Sequence, residues 1–548
     1  MGEHRIEQLR NLKINWNGGL GQGTLTEPDQ RQFTYDLLTN GIYQDTRYGS
    51  ATTPPTRPDN ETLLRFQREL EENSFYSIVD FTIPMLEDKE RTDAFKTGFY
   101  LDSNNRSYNQ ASFNYIYGGY NAGLGPGTDV YAQFIPTNGL TWADVFLQQG
   151  SPGEQGAGLV NPVPTGVGNE MMSYTLNNQA GGAQSAGTFY NASQEVTASY
   201  VMADFDLFPQ LRLNGGTRFE NTNLKVKGSN TLPAILYDPA EYPEFVGGTG
   251  SGLAKIQQLD LLPAVGATFK LTEGINFRLA WSQTLARPSF KEMGPVLTKD
   301  FADDQYFLGN PNLKLSKANN YDCRLEWFPR AGEVLAVSLF YKDLSLPMEQ
   351  VSFNNPFYGI EYFQYQNAPT GVVYGIEVEA RKRLDQVTSW LKNFSVYFNY
   401  SQIKSAVPLD AGTAQLLTET GQSANDRPLQ GQPEYIINAG LNYDNDEYKF
   451  YAGLFFNVTG PFLYSVGSPY VDEDGAVVGY LPDIYELPAP SLDFNLTQGL
   501  TENWKLTFRG KNLLNPLIQR VQTFNGVDYP YQTYTKGWDV SLNASYSF

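Results

Sequence analysis

The chain has 548 residues, with 39 Lys plus Arg against 59 Asp plus Glu and a formal net charge of −20. Binding nucleic acid requires a basic surface to neutralise phosphates, so this balance argues against such a partner. One cysteine, Cys323, rules out an internal disulfide framework or a thiolate cluster, and one histidine, His4, leaves no material for a histidine-built zinc site or a His-dependent triad.

In chain order, the first residues, "MGEHRIEQLR", have no apolar core and no small-residue cleavage site, so they do not read as a secretory signal. The first predicted strand follows, near residues 9–19: "NLKINWN" sets Leu12, Ile14 and Trp16 on one face against Lys13, Asn15 and Asn17. The same alternation returns in "FYSIVDFTI" (Phe75 to Ile83), "INFRLAWS" (Ile275 to Ser282), "YDCRLEWF" (Tyr321 to Phe328), "YGIEVEARKR" (Tyr374 to Arg383) and "WKLTFRG" (Trp504 to Gly510). It closes the chain as "GWDVSLNASYSF". Strands are predicted near 9–19, 73–85, 94–117, 194–207, 211–226, 260–271, 275–287, 318–328, 333–343, 370–382, 393–404, 432–443, 447–458, 489–497, 503–513 and 533–548, about sixteen in all. The apolar positions are rich in aromatic and β-branched residues, as pleated surfaces favour.

The connections alternate in length. Brief turns such as "FPQ" (Phe208 to Gln210), "LTEG" (Leu271 to Gly274), "FPRAGE" (Phe328 to Glu333), "DNDE" (Asp444 to Glu447) and "LTEN" (Leu500 to Asn503) suit hairpin reversals. Between them lie long segments: Gly18 to Asn73, Gly118 to Ser193, Lys227 to Leu259, Pro288 to Lys317, Leu344 to Thr370, Ser405 to Gly431, Thr459 to Leu487 and Leu514 to Gln532. In an up-and-down meander this rhythm puts every short turn at one end and every long loop at the other. Sandwiches and propellers do not sort loops this way, whereas outer-membrane barrels do.

No apolar run approaches the roughly 18 to 20 residues of a membrane helix, yet alternating strands escape that test. Hydrocarbon offers backbone groups no partner, so β-structure spans a bilayer only when its strands pair all the way round. The 36 tyrosines and 34 phenylalanines suit interfacial girdles. The expected fold class is all-β, an antiparallel up-and-down transmembrane β-barrel with short periplasmic turns and long extracellular loops.

Several stretches resemble the barrel of TonB-dependent outer-membrane receptors of Gram-negative bacteria. "LLPAVGATFKLTEGINFRLAWSQTLARPSFKEMGP" (Leu261 to Pro295) is similar to that family's hairpin and its S-x-T-L-A-R-P-S-F segment, here Ser282 to Phe290. "GNPNLKLSKANNYDCRLEWF" (Gly309 to Phe328), "YGIEVEARKRL" (Tyr374 to Leu384) and "KNLLNP" (Lys511 to Pro516) are further marks. Tyr546 and the final Phe548 match the terminus read by the barrel assembly machinery. The likeness runs from about residue 9 to the end and implies a barrel of about 22 strands, embedded in outer-membrane lipid and driven by TonB through a plug domain. No signal peptide, coupling box or plug is recognisable here. Residues 1–548 are therefore expected to be the C-terminal, partial barrel domain, from a truncated or split receptor, with the first strands absent.

Ligands would first meet the long loops. Aromatic candidates there are Trp142 and Phe146 in "TWADVF", which fits one helical turn, then Phe357, Tyr358 and Tyr362, and Phe524 and Tyr529. The competing reading is that these rings pack the loops or mark the outer girdle. Arg212, Arg218, Glu220, Arg278, Arg324, Glu326, Glu377, Glu379 and Arg381 are expected to face the lumen or a plug. Asp472 and Asp474, and Asp300, Asp303 and Asp304, lack the spacing of a calcium loop and read as solvated acids, so no metal and no cofactor is expected. Cys323 falls on the apolar face, as a buried or lipid-facing thiol.

The family reading gives a non-enzymatic receptor importing a small nutrient: a glycan, a ferric siderophore or cobalamin. The aromatic loops favour a glycan, and the acidic balance disfavours a highly anionic chelate. Two rivals stand beside it: a passive porin-like pore of sixteen strands, and a secreted soluble β-rich binding protein. If the chain is partial, the last strand lacks its neighbour, and pairing between Trp538–Phe548 and the strand near Leu12–Trp16 is expected to be poor or absent.

Overall fold

The period-two segments become strands of one continuous antiparallel meander: β1 (Gly2–Ile6), β2 (Leu12–Phe33), β3 (Leu63–Asp88), β4 (Arg91–Tyr117), β5 (Thr188–Phe208), β6 (Leu211–Ser229), β7 (Ser251–Thr272), β8 (Ile275–Ala286), β9 (Ser316–Trp327), β10 (Val334–Ser345), β11 (Thr370–Arg383), β12 (Phe394–Pro408), β13 (Tyr435–Asn445), β14 (Phe450–Thr459), β15 (Ser491–Gly499), β16 (Trp504–Lys511) and β17 (Asp539–Tyr546). Each pairs with the next. The computed structural model describes residues 1–33, 35–37, 43–45, 63–88, 91–117, 163–164, 171–172, 174–177, 188–229, 251–300, 305–355, 360–409, 413–415, 426–471, 477–524 and 526–548. Short connections gather at one end of the wall and long ones at the other.

The two faces differ in kind. Trp281, Tyr321, Tyr341 and Tyr374 stand in one cross-strand row on β8 to β11, with Leu279, Cys323, Leu339 and Ile376 in the row beneath. These rows point outward and are open: Leu339 is 53% exposed and Tyr341 44%. In water such a surface would drive association; against lipid it is the stable arrangement. The alternate positions, Arg278, Arg324, Glu326, Glu377 and Glu379, face the interior. Among the described residues no helix is long and apolar enough to cross a membrane, which leaves the crossing to strands.

Strand length divides the wall. β2 to β7 run for 19 to 27 residues, and β8 to β17 for 8 to 15. About 9 to 11 tilted residues suffice to span a bilayer, so the first group projects well beyond it. Its polarity confirms the boundary. On β6 the outward series reads Leu211, Leu213, Thr217, Phe219 and then Asn221, Asn223, Lys225, Lys227, while the inward series passes from Arg212, Arg218 and Glu220 to buried Leu224 and Val226. The apolar pattern changes faces where the strand leaves hydrocarbon for water.

Three expectations are corrected. The segments Gly18 to Asn73 and Lys227 to Leu259 are not wholly loop, because β2, β3 and β7 extend into them as paired strand. Above the boundary, outward positions are polar, so apolar periodicity no longer marks the ladder. The opening residues form β1, which pairs Gly2–Ile6 with Trp16–Leu12 through a turn in which Arg10 and Asn11 adopt left-handed φ of 54° and 56°. Consequently the edge of Leu12–Trp16 is already taken. Among the described residues no ladder joins β17 to β1 or β2. Both β1 and β17 run toward the short-turn end.

Candidate functional site

The interior below the boundary is lined by paired charges. Arg212 Nε lies 2.9 Å from Asp204, which also receives Lys96 Nζ at 3.4 Å. Arg218 Nε donates to Glu220 at 2.6 Å and its guanidinium lies 5.0 Å from the Tyr100 ring centre. On the shorter strands Arg278 and Arg324 converge on Glu326, the latter at 3.2 Å, and Arg324 also donates to Glu379 at 2.6 Å and Ser338 at 3.0 Å. Glu377 accepts from Ser401 Oγ at 3.5 Å, and Arg381 is exposed on the same face. Such a lining is polar yet largely neutralised, suited to water or a polar partner inside the wall.

Above it, the segment joining β8 to β9 turns inward over the tall strands. Ser289 opens a short helix, Phe290–Met293, with a reciprocal capping box: Glu292 N donates to Ser289 Oγ at 3.3 Å and Ser289 N to Glu292 Oε2 at 2.8 Å. Phe290, Met293, Val296, Leu313 and Leu315 pack onto Tyr190, Leu224, Val226 and Ile256, forming a dry core inside the mouth. The turn at Asn310 holds itself through Asn312 N to Asn310 Oδ1 at 2.9 Å and anchors to Glu292 O at 2.7 Å. Gly309 crosses the backbone of Gly294 so closely that a Cβ would lie 1.7 Å from the Gly294 oxygen. Two basic residues fasten this segment across the place where β7 and β8 part above Ala264 and Ser282. Arg287 pairs with Glu220 and donates to Thr222 at 3.0 Å, and Lys317 Nζ reaches Asp260 at 2.5 Å.

The loops of the shorter strands make two small sheets. One contains Leu297–Asp300, Gln305–Leu308, Ile360–Asn367 and Met348–Asn355; the other contains Phe462–Ser465, Ile484–Glu486, Ile518–Phe524 and Val527–Tyr534. Ser352 N to Val466 O at 2.8 Å and Val466 N to Gln350 O at 3.0 Å join them. Beside that seam, Arg427 grips buried Glu349 with two 2.7 Å bonds, and Gln430 N adds a third at 3.0 Å. Asp483 accepts from Gly467 N at 2.8 Å, and burial raises its pKa. Arg520 lies 3.7 Å over the Tyr464 ring and donates to Glu486 at 3.1 Å.

Of the aromatic candidates, Tyr362 stacks on Phe353 with centroids 5.4 Å apart inside the first small sheet. Phe524 and Tyr529 meet edge-on at 6.1 Å and are both exposed. The structure therefore separates these sites rather than gathering them. Trp142, Phe146, Phe357 and Tyr358 lie outside the described residues, as do Asp303, Asp304, Asp472 and Asp474. Among the described residues no three His, Cys, Asp or Glu side chains assemble as a metal site. Tyr546 packs against Trp504 at 5.1 Å and Phe548 is fully exposed. Sequence reasoning missed Arg287, Phe290, Glu349 and Arg427. The S-x-x-E of Ser289 to Glu292 was a readable sign of the inward helix; nothing local marks Glu349 and Arg427 as partners.

The sequence model described as "TonB dependent receptor-like, beta-barrel" matches residues 16–513. No curated protein matches the chain. Among solved structures, the ferric yersiniabactin uptake receptor FyuA from Yersinia pestis is similar in fold, with a TM-score of 0.55 at 14% identity over 98% of this chain and 59% of that one. The ferric citrate transporter FecA in its unliganded form gives 0.50 at 12% identity over 97% and 59%. The chain thus spans about three fifths of the length of these relatives. The outward apolar rows, the paired interior and the family match converge on one assignment: the chain belongs to the TonB-dependent receptor β-barrel family of the Gram-negative outer membrane.

Proposed function

We propose that this chain supplies the wall and outer loops of a receptor that imports a nutrient across the outer membrane, with energy delivered by TonB through a plug domain. The observation that carries the reading is the dry core formed by Phe290, Met293 and Leu313 inside the mouth. A built-in obstruction of this kind suits a receptor that holds its ligand, and it disfavours an open pore. A soluble secreted protein is inconsistent with the outward apolar rows and with the family. Transport without catalysis fits the absence of a triad-like constellation among the described residues.

FyuA and FecA are named for iron chelates, but a net charge of −20 disfavours a highly anionic chelate and the exposed Phe524 and Tyr529 favour a sugar ring. The reading supported best is therefore a glycan. Uptake of labelled oligosaccharide should vanish without TonB, and the double variant Phe524→Ala, Tyr529→Ala should weaken binding about tenfold, from loss of about 1 kcal/mol or more of ring contact. A ferric chelate outcompeting every glycan would overturn the substrate class and leave the receptor standing. A large steady current in planar bilayers would overturn the receptor itself. Assembly through Tyr546 and Phe548 is tested by deleting Phe548, which should lower the amount of folded protein in the outer membrane.

A further inference from the structure

The outward face of the tall wall carries a feature that uptake does not use. At the upper margin of the apolar belt, the row Leu101, Thr197, Asn221, Leu259 lies over the row Phe99, Ser199, Phe219, Leu261 on β4 to β7. Thr197 and Ser199 on β5 are short, whereas Phe99 and Phe219 on either side stand 61% and 46% exposed. The result is a groove along β5, walled by these rings with Val79 and Leu259.

Above the groove the outward face turns basic. Lys225 on β6 is directly opposite Lys255 on β7, and Lys227 follows one row higher. All three are exposed, and no described residue forms an ion pair or hydrogen bond with any of them. Like charges placed opposite each other destabilise a sheet unless an anion lies between them. On these rows of β5 to β7 the one carboxylate is Glu195, opposite Asn223, so the face stays net positive in a chain that is otherwise strongly acidic. Lys255 lies four residues above Leu259, roughly 13 Å along the strand, and a lysine stem can lean along the surface to meet a headgroup at the hydrocarbon edge.

We propose that this face binds a phosphorylated glycolipid of the outer leaflet, with an acyl chain along Thr197 and Ser199 and its phosphate held by Lys225, Lys227 and Lys255. Two independent features meet here, an apolar groove in the belt and an uncompensated lysine cluster directly over it, and such a lipid satisfies both. The chain in nanodiscs is titrated with bis-phosphorylated lipid A, with the same lipid after phosphatase treatment, and with inorganic pyrophosphate. The triple variant Lys225→Gln, Lys227→Gln, Lys255→Gln should lose at least tenfold in affinity for the phosphorylated lipid and none for the dephosphorylated one. Ser199→Phe, which fills the groove, should weaken both lipids, while heat-modified mobility on gels reports that each variant is folded. Equal binding of the phosphorylated lipid by wild type and triple variant overturns the proposal. So does pyrophosphate binding as tightly as the lipid, which would assign the lysines to a soluble anion.

Discussion

The two parts of the wall solve the same problem differently. β2 to β7 continue as paired strand far above the belt, and their upper inward face is apolar; β8 to β17 stop near the belt, and their loops fold into separate small sheets. Height in the first part is made possible by an internal cover, the segment 287–315, which removes Leu224, Val226 and Ile256 from water. In the second part the loops bury their own charges, as Arg427 and Glu349 do. A tall strand therefore depends on a neighbour's loop, whereas a short strand leaves its loop self-sufficient.

The most severe way to break this contrast is Phe290→Ala. Removing a buried ring costs about 3 to 5 kcal/mol, and amide exchange should rise in the upper part of β5 to β7 while the small sheets stay protected. Uniform protection in that variant would show that the tall strands need no cover. A smaller effect separates belt from rim on one strand. Val265→Arg on outward β7 should cost about 2 to 4 kcal/mol in a urea titration from lipid vesicles, and Gln257→Arg about 0 to 1. Similar costs at the two sites would move the hydrocarbon boundary. Next comes the fastening between the parts: Arg287→Ala leaves Glu220 without its second partner and should cost about 1 to 3 kcal/mol, read as faster proteolysis between residues 287 and 315.

The mildest test lies at the opposite end. In the turn after β9, bonds from Arg330 and then Lys382 hold the Glu333 carboxyl down to about 2, below its ordinary 4.5. A depressed folded-state pKa means the stabilisation is complete above about pH 4.5 and fades as pH falls toward 2. Exchange at residues 328–333 should therefore be flat from pH 8 to 5 and rise only in strong acid, and Glu333→Gln should abolish that dependence.

Much of this was legible in the chain. Leu279, Cys323, Leu339 and Ile376 alternate with Arg278, Arg324, Ser338 and Glu377, so a two-faced wall followed from period two alone, as did the sorting of turns and loops. What escaped was every feature in which the alternation changes its meaning. Leu224 and Val226 looked like the end of a lipid-facing strand and are instead interior, because the solvent outside had changed. Gly2–Ile6 escaped since Glu3, His4 and Arg5 have no apolar face and are fixed only by the ladder to Leu12–Trp16. Arg427 and Glu349 are 78 residues apart, and only the folded loops bring them together.

The directions of the outermost strands carry one further consequence, a matter of parity. β1 and β17 descend together, so bringing their free edges into contact would create a parallel pair in a sheet whose every other ladder between neighbours is antiparallel. Antiparallel closure around these two edges is possible only with an odd number of strands between them, whichever chain provides them.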